Sequence, residues 1–166
     1  MQGEKVMNQE QSLREHVLYL LDGGGAHVDF ERVVADFPVA KANQKIDHLP
    51  YTAWAVLEHM RIAQWDILEF SRNAAHVSPK WPEGYWPAAE VASDAASWER
   101  SVEQIRADLK EMKALVADAR TDLFATIPHG EGQTILREAL LVADHNAYHL
   151  GVLVTMKRLL EGTTES

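Results

Sequence analysis

The sequence predicts an all-α protein built as a four-helix bundle. Three observations point there. Long stretches carry apolar residues at steps of three and four, and no stretch of useful length alternates apolar with polar residues as a strand would. A third is that Gly and Pro gather between the helical stretches, so amphipathic helices without strands pack most economically on one another.

The first helix is expected from about Gln9 to Asp22, with Leu13, Val17, Leu20 and Leu21 on one stripe. It stops at Gly23-Gly24-Gly25, a flexible turn that lacks the lysine and Ser/Thr of a phosphate-binding loop. A short helix from Asp29 to Asp36 follows, with Asp29 as its cap and Pro38 beyond its end. The second long helix is expected from Tyr51 to Arg72, with Pro50 in its first turn. On it Thr52, Ala55, Val56, His59, Ile62, Ala63 and Asp66 share a face.

Between Ala74 and Ala96 the period fails, and Pro79, Pro82, Gly84 and Pro87 mark a long loop carrying Trp81, Tyr85 and Trp86. That loop is expected to pack over the bundle end or to wall a site. The third long helix, Ser97 to Ala119, sets Ile105, Leu109, Met112 and Val116 against a charged face. A connection with Pro128 and two glycines leads to the fourth, Thr134 to Leu160, whose start signal is partial because Arg137 holds the capping-box position.

Composition narrows the function. The chain of 166 residues has no cysteine, so thiolate metal sites, disulfides and cysteine nucleophiles are excluded, and any metal is held by nitrogen and oxygen. A formal charge of −9 and the lack of a basic stripe argue against nucleic acid as a partner. No apolar run reaches a membrane span, and the start of the chain lacks the apolar core of a signal peptide. Residues 1–9 read as a polar N-terminal tail, residues 10–161 as one domain, and the protein as cytoplasmic.

The chemistry centres on His145 and His149, four apart on one helical face, where two imidazoles reach a single cation at about 2.0–2.1 Å for zinc. Leu141, Val142, Val152 and Met156 flank them, so that face points inward. His59 stands on the inward stripe of the second helix between the small Ala55 and Ala63. Three imidazoles in a core need partners, and a shared divalent ion satisfies all three while leaving coordination positions open.

Asn146 follows the first histidine where a zincin has its glutamate, so a peptidase of that kind is not expected. Asp66 and Glu138 lie about 10 Å along the axis from a histidine, too far to ligate but within reach of a substrate. Their simplest reading is charge near the bundle ends. Asp144 and Tyr148 are candidates to orient a neighbouring group, and Gly151 reads as a site of close helix packing. His16, His27, His48, His76 and His129 read as incidental.

The chain also resembles the DinB-like, or YfiT-like, family of metalloenzymes. The resemblance is carried by Trp54-Ala55-Val56-Leu57-Glu58-His59-Met60-Arg61-Ile62-Ala63-Gln64 and by the aromatic loop Trp81-Pro82-Glu83-Gly84-Tyr85-Trp86-Pro87. The ordered C-terminal string from Thr134 to Gly151, with Asp144-His145-Asn146-Ala147-Tyr148-His149, is its most specific part. It implies an up-down-down-up bundle, dimeric in many members, with zinc or nickel held by His59, His145 and His149.

It further implies a small-molecule substrate and, in some relatives, a low-molecular-weight thiol used by transferases or isomerases. With no cysteine in the chain, such a thiol comes from outside, and thiol transfer and hydrolysis are the two chemistries expected. Two other readings stand beside these. One is a non-catalytic bundle that binds a metal or small ligand; the other is a metal-free bundle whose histidines hydrogen-bond one another.

Overall fold

A computed structural model describes residues 2–23, 25–88 and 94–162, with side chains from residue 9 onward. Four long helices form the body: α1 Gln2–Leu21, α3 Ala53–Arg72, α4 Ala95–Ala117 and α5 Ile135–Gly162. A short α2, Phe30–Ala35, and 3-10 turns at Val39–Lys41 and Glu83–Tyr85 fill the connections. No strand occurs among the described residues, only an isolated bridge between Thr126 and Thr134. No described helix is long and apolar enough to cross a membrane.

Side-chain contacts fix the helix directions. Along α3 and α4, Glu58 meets Ser101, Gln64 meets Ile105 and Arg72 meets Glu111, so these two run parallel. Across α3 and α5, His59 meets His145 while Phe70 packs near Leu136, so these run antiparallel. Arg14 reaches the far end of α4 at Val116, which sets α1 against α4. The order is up, down, down, up.

Helices α2, α3, α4 and α5 each start where a side-chain oxygen can take an orphan amide. Asp29 accepts from Arg32 N, Thr52 from Ala55 N, Asp94 from Ser97 N and Thr134 from Arg137 N. Asp29 thus caps α2 as expected. Pro50 instead lies ahead of α3, because the Thr52 hydroxyl supplies the cap and helical geometry begins only at Ala53. The stretch read as a polar tail is helical from Gln2, since Gln, Glu, Lys and Met propagate a helix without an apolar face. Gly23, at φ 72°, terminates α1; Gly24 and residues 89–93 of the long loop lie outside the described residues.

A small apolar cluster of Leu123, Ile127 and Ile135 adjoins two larger ones that make most of the core. One joins Trp54, Leu57, Met60, Trp98, Val102, Leu153 and Met156; the other joins Val17, Leu21, Leu68, Met112, Val116 and Val142. Leu20, expected on the buried stripe of α1, is 48% exposed, because the stripe is centred on Val17 and Leu21. A Cβ at Gly151 would meet nothing within 4 Å, so its role in close helix packing is not supported. Leu153 is fully buried. Leu153→Ala is therefore expected to lower unfolding free energy by about 2–5 kcal/mol in urea titrations.

Candidate metal centre

A polar belt crosses the bundle between the two larger apolar clusters. Gln64 is fully buried; its Nε2 donates to Ile105 O at 2.8 Å, and its Oε1 accepts from Asn146 Nδ2 at 2.7 Å. Asn146 thereby has its amide nitrogen engaged by Gln64. The three predicted histidines come together.

His59, from α3, and His145 and His149, from α5, offer ligand atoms that all lie within 4.8 Å of one another. Their ring centroids are 5.0, 4.6 and 4.5 Å apart for the pairs 59–145, 59–149 and 145–149. The one-turn spacing of the α5 pair and the antiparallel crossing of α3 bring this about. The three side chains could hold a metal ion.

The tautomer of His59 follows from its partner. Nδ1 lies 2.8 Å from the Tyr85 carbonyl oxygen, which can only accept, so Nδ1 carries the proton and Nε2 presents its lone pair. That lone pair faces His145 Nε2 at 3.1 Å. Trp86 lies flat on the other face of His59, with centroids 4.2 Å apart and planes at 6°, and Tyr51 stacks on Trp86 in turn. His145 Nδ1 is buried without a partner.

Burial disfavours the charged imidazoles. It is the main cause that lowers His145 and His149 to about 4, helped at His145 by neighbouring His59 and at His149 by His145 and His59. His59 is lowered by burial too, with the Tyr85 carbonyl pulling the other way. All three are thus neutral near pH 7, the form in which nitrogen can ligate.

A pH dependence follows for the metal-free protein. An unfolded histidine titrates near ~6.5, so between there and about 4 the unfolded chain binds more protons than the folded one. Stability is thus expected to fall as pH drops through that window and to be insensitive to these groups above it. Thermal melts of metal-stripped protein across that range check this. A melting temperature independent of pH there would contradict the burial of the two rings.

The cluster forms the floor of a cavity of about 470 Å³ lined by Ala63, Asp66, Ile67, Trp81, Tyr85, Leu141, Asp144 and Tyr148 besides the histidines. No Lys or Arg stands among these lining residues. The aromatic loop therefore walls the site and does not merely cover a bundle end. Tyr148 and Asp144 are exposed at the rim.

The two distant carboxylates separate. Glu138 is buried against Arg137 Nη1 at 2.7 Å and takes no part in the cavity. Asp66 is buried beside the cavity, where it accepts from His76 Nε2 at 2.7 Å and from the Tyr85 hydroxyl at 2.6 Å. Burial and that bond push the Tyr85 phenol up to about 12, so it stays a donor. His76 was expected to be incidental and is not; it lies ten positions from Asp66, past the end of α3 at Arg72, and no periodicity in the sequence signals their meeting. Gln64 was missed as well, although it follows Leu57 and Met60 at helical spacing on a buried face of α3. His48 and His129 are exposed and apart from the site.

No curated protein and no solved structure matches the chain significantly. The profile of the DinB superfamily matches residues 25–153, a span that includes all three histidines and the aromatic loop. The chain belongs to the DinB superfamily.

Proposed function

We propose that the protein is a metal-dependent enzyme whose divalent ion, zinc or nickel, is held by His59, His145 and His149. The observation that carries this reading is the convergence of three neutral imidazoles at the floor of an open cavity. The donor set fits. Nitrogens about 2.0–2.1 Å from a tetrahedral ion stand roughly 3.3 Å apart, and His59 and His145 already place Nε2 atoms 3.1 Å apart. Three protein ligands leave a position for water or substrate, as catalytic sites do.

When bound, the ion supplies Lewis acidity and a lowered pKa for a coordinated water or thiol. The chain's own residues do the rest. The Tyr85 carbonyl orients His59, and Trp86 shields its outer face from water. Ala63, Ile67 and Leu141 offer an apolar wall to a small-molecule substrate, with Trp81, Tyr85 and Tyr148 around it. No cysteine exists to act as nucleophile, so any attacking thiolate comes from a low-molecular-weight thiol in solution, and water is the other nucleophile this reading takes.

The short contact between His59 and His145 favours one other reading, a metal-free bundle in which the two rings hydrogen-bond directly. That arrangement gives the Nε2 proton to His145 and leaves its Nδ1 a buried acceptor with no donor, at a cost of about 1–3 kcal/mol.

Cobalt(II) titrated into metal-stripped protein, followed by 2-mercaptoethanol, separates the possibilities. A saturable visible band typical of four-coordinate cobalt is expected, with a new sulfur-to-cobalt band once the thiol is added. No visible band would sink the metal reading. A band that ignores the thiol would remove thiol transfer and leave hydrolysis.

A further inference from the structure

Two turns beyond His59 on α3, Asp66 has both carboxylate oxygens engaged. Oδ1 accepts from His76 Nε2 and Oδ2 from the Tyr85 hydroxyl, at 2.7 and 2.6 Å. Both donors belong to the loop between α3 and α4, one on each side of Trp81. Trp65 braces the first of them, edge-on to His76 with centroids 5.0 Å apart.

Tyr85 is held at both its side chain and its backbone. Its hydroxyl binds Asp66, and its carbonyl receives the Nδ1 proton of His59 at 2.8 Å. The path from His59 along α3 to Asp66, through Tyr85 and back to His59 is a closed ring. The next residue, Trp86, lies flat on the same imidazole. The turn that delivers Tyr85 is tight: a Cβ on Gly84 would stand 2.7 Å from Pro79 Cβ.

We propose that Asp66 is a positioning residue for His59. By gripping His76 and Tyr85 it fixes the loop, so that the Tyr85 carbonyl and the Trp86 ring aim His59 Nε2 at His145. The proposal rests on the metal reading of the three histidines for its consequence, but the contacts themselves do not. Groups that orient a ligating imidazole commonly account for roughly 10–100-fold in metal affinity.

Position and charge make different demands at residue 66. An amide there can keep both partners, accepting from Tyr85 through Oδ1 and donating through Nδ2 to the lone pair of a neutral His76. Alanine keeps neither. Tyr85→Phe removes a single hydroxyl and leaves the carbonyl in the chain.

The test uses the full chain with Asp66→Ala, Asp66→Asn and Tyr85→Phe. Zinc affinity is measured by competition with a chromophoric chelator, and solvent exchange of the His59 Nδ1 proton by nitrogen-15 NMR on metal-free protein. Asp66→Ala and Tyr85→Phe are expected to bind zinc roughly 10–100-fold more weakly and to speed that exchange. Asp66→Asn is expected to stay close to the wild type in both.

Unchanged affinity and exchange in Asp66→Ala and Tyr85→Phe would overturn the proposal. So would an Asp66→Asn variant as weak as the alanine, since charge and not contact would then be the operative property. If Asp66→Ala does not fold, Tyr85→Phe carries the test alone. A wild type that binds no zinc would overturn the metal reading instead, and proton exchange would still decide whether Asp66 positions His59.

Discussion

Replacing His145 with alanine is expected to abolish useful metal binding, with a loss beyond the roughly 10–100-fold that an outer-shell partner costs. The three rings form a triangle with centroids 4.5 to 5.0 Å apart, and His145 Nε2 faces the His59 lone pair. Without it, two imidazoles remain on different helices, and neither holds the other's orientation. The same variant removes a buried group lowered to about 4, mainly by burial. Its metal-free form should therefore lose less stability than the wild type between pH ~6.5 and ~4. Zinc affinity by chelator competition and pH-dependent melts check the two halves separately. An affinity within tenfold of the wild type would remove His145 from the ligand set.

Arg14→Ala is expected to destabilise the fold by about 3 kcal/mol or more. Arg14 is charged, yet only 5% exposed. Its Nη1 donates to the carbonyls of Val116 and Asp118 at 2.6 and 3.1 Å, and its Nη2 to that of Thr121 at 2.6 Å. Glu10, one turn earlier, takes Nη2 as well. One guanidinium thus satisfies the carbonyls at the C-terminal end of α4, where a cation is also favoured by the helix dipole. Alanine leaves those carbonyls without this donor and removes the tie between α1 and α4. Lysine restores the charge but not the planar fork, so Arg14→Lys should recover only part of the loss. Urea unfolding of the three proteins measures this, and an alanine variant within 1 kcal/mol of the wild type would contradict it.

Much of the bundle was legible because helix packing leaves a periodic trace. The spacing of Val17 and Leu21, of Ile105, Met112 and Val116, and of Val142 and Met156 marks the faces that are buried. The start of α1 left no such trace, since its first residues are helical without an apolar stripe. His145 and His149 were visible as a one-turn pair. His59 was visible as a ring on an inward stripe, and the three do converge.

The surroundings of the histidines were not visible. Asp66 meets His76 and Tyr85 only because an irregular loop folds back over α3, and its contacts follow no repeat along the chain. The same holds for Trp86 on His59, a stacking set by the path of the loop. Gly151 misled in the other direction: small residues permit close approach, but nothing here approaches it.

The most direct test of the account is the metal content of untagged wild-type protein, measured by elemental mass spectrometry after purification without chelators. The predicted result is close to one equivalent of zinc or nickel per chain. Protein that carries no stoichiometric metal, and takes none up on reconstitution with either ion, would contradict it.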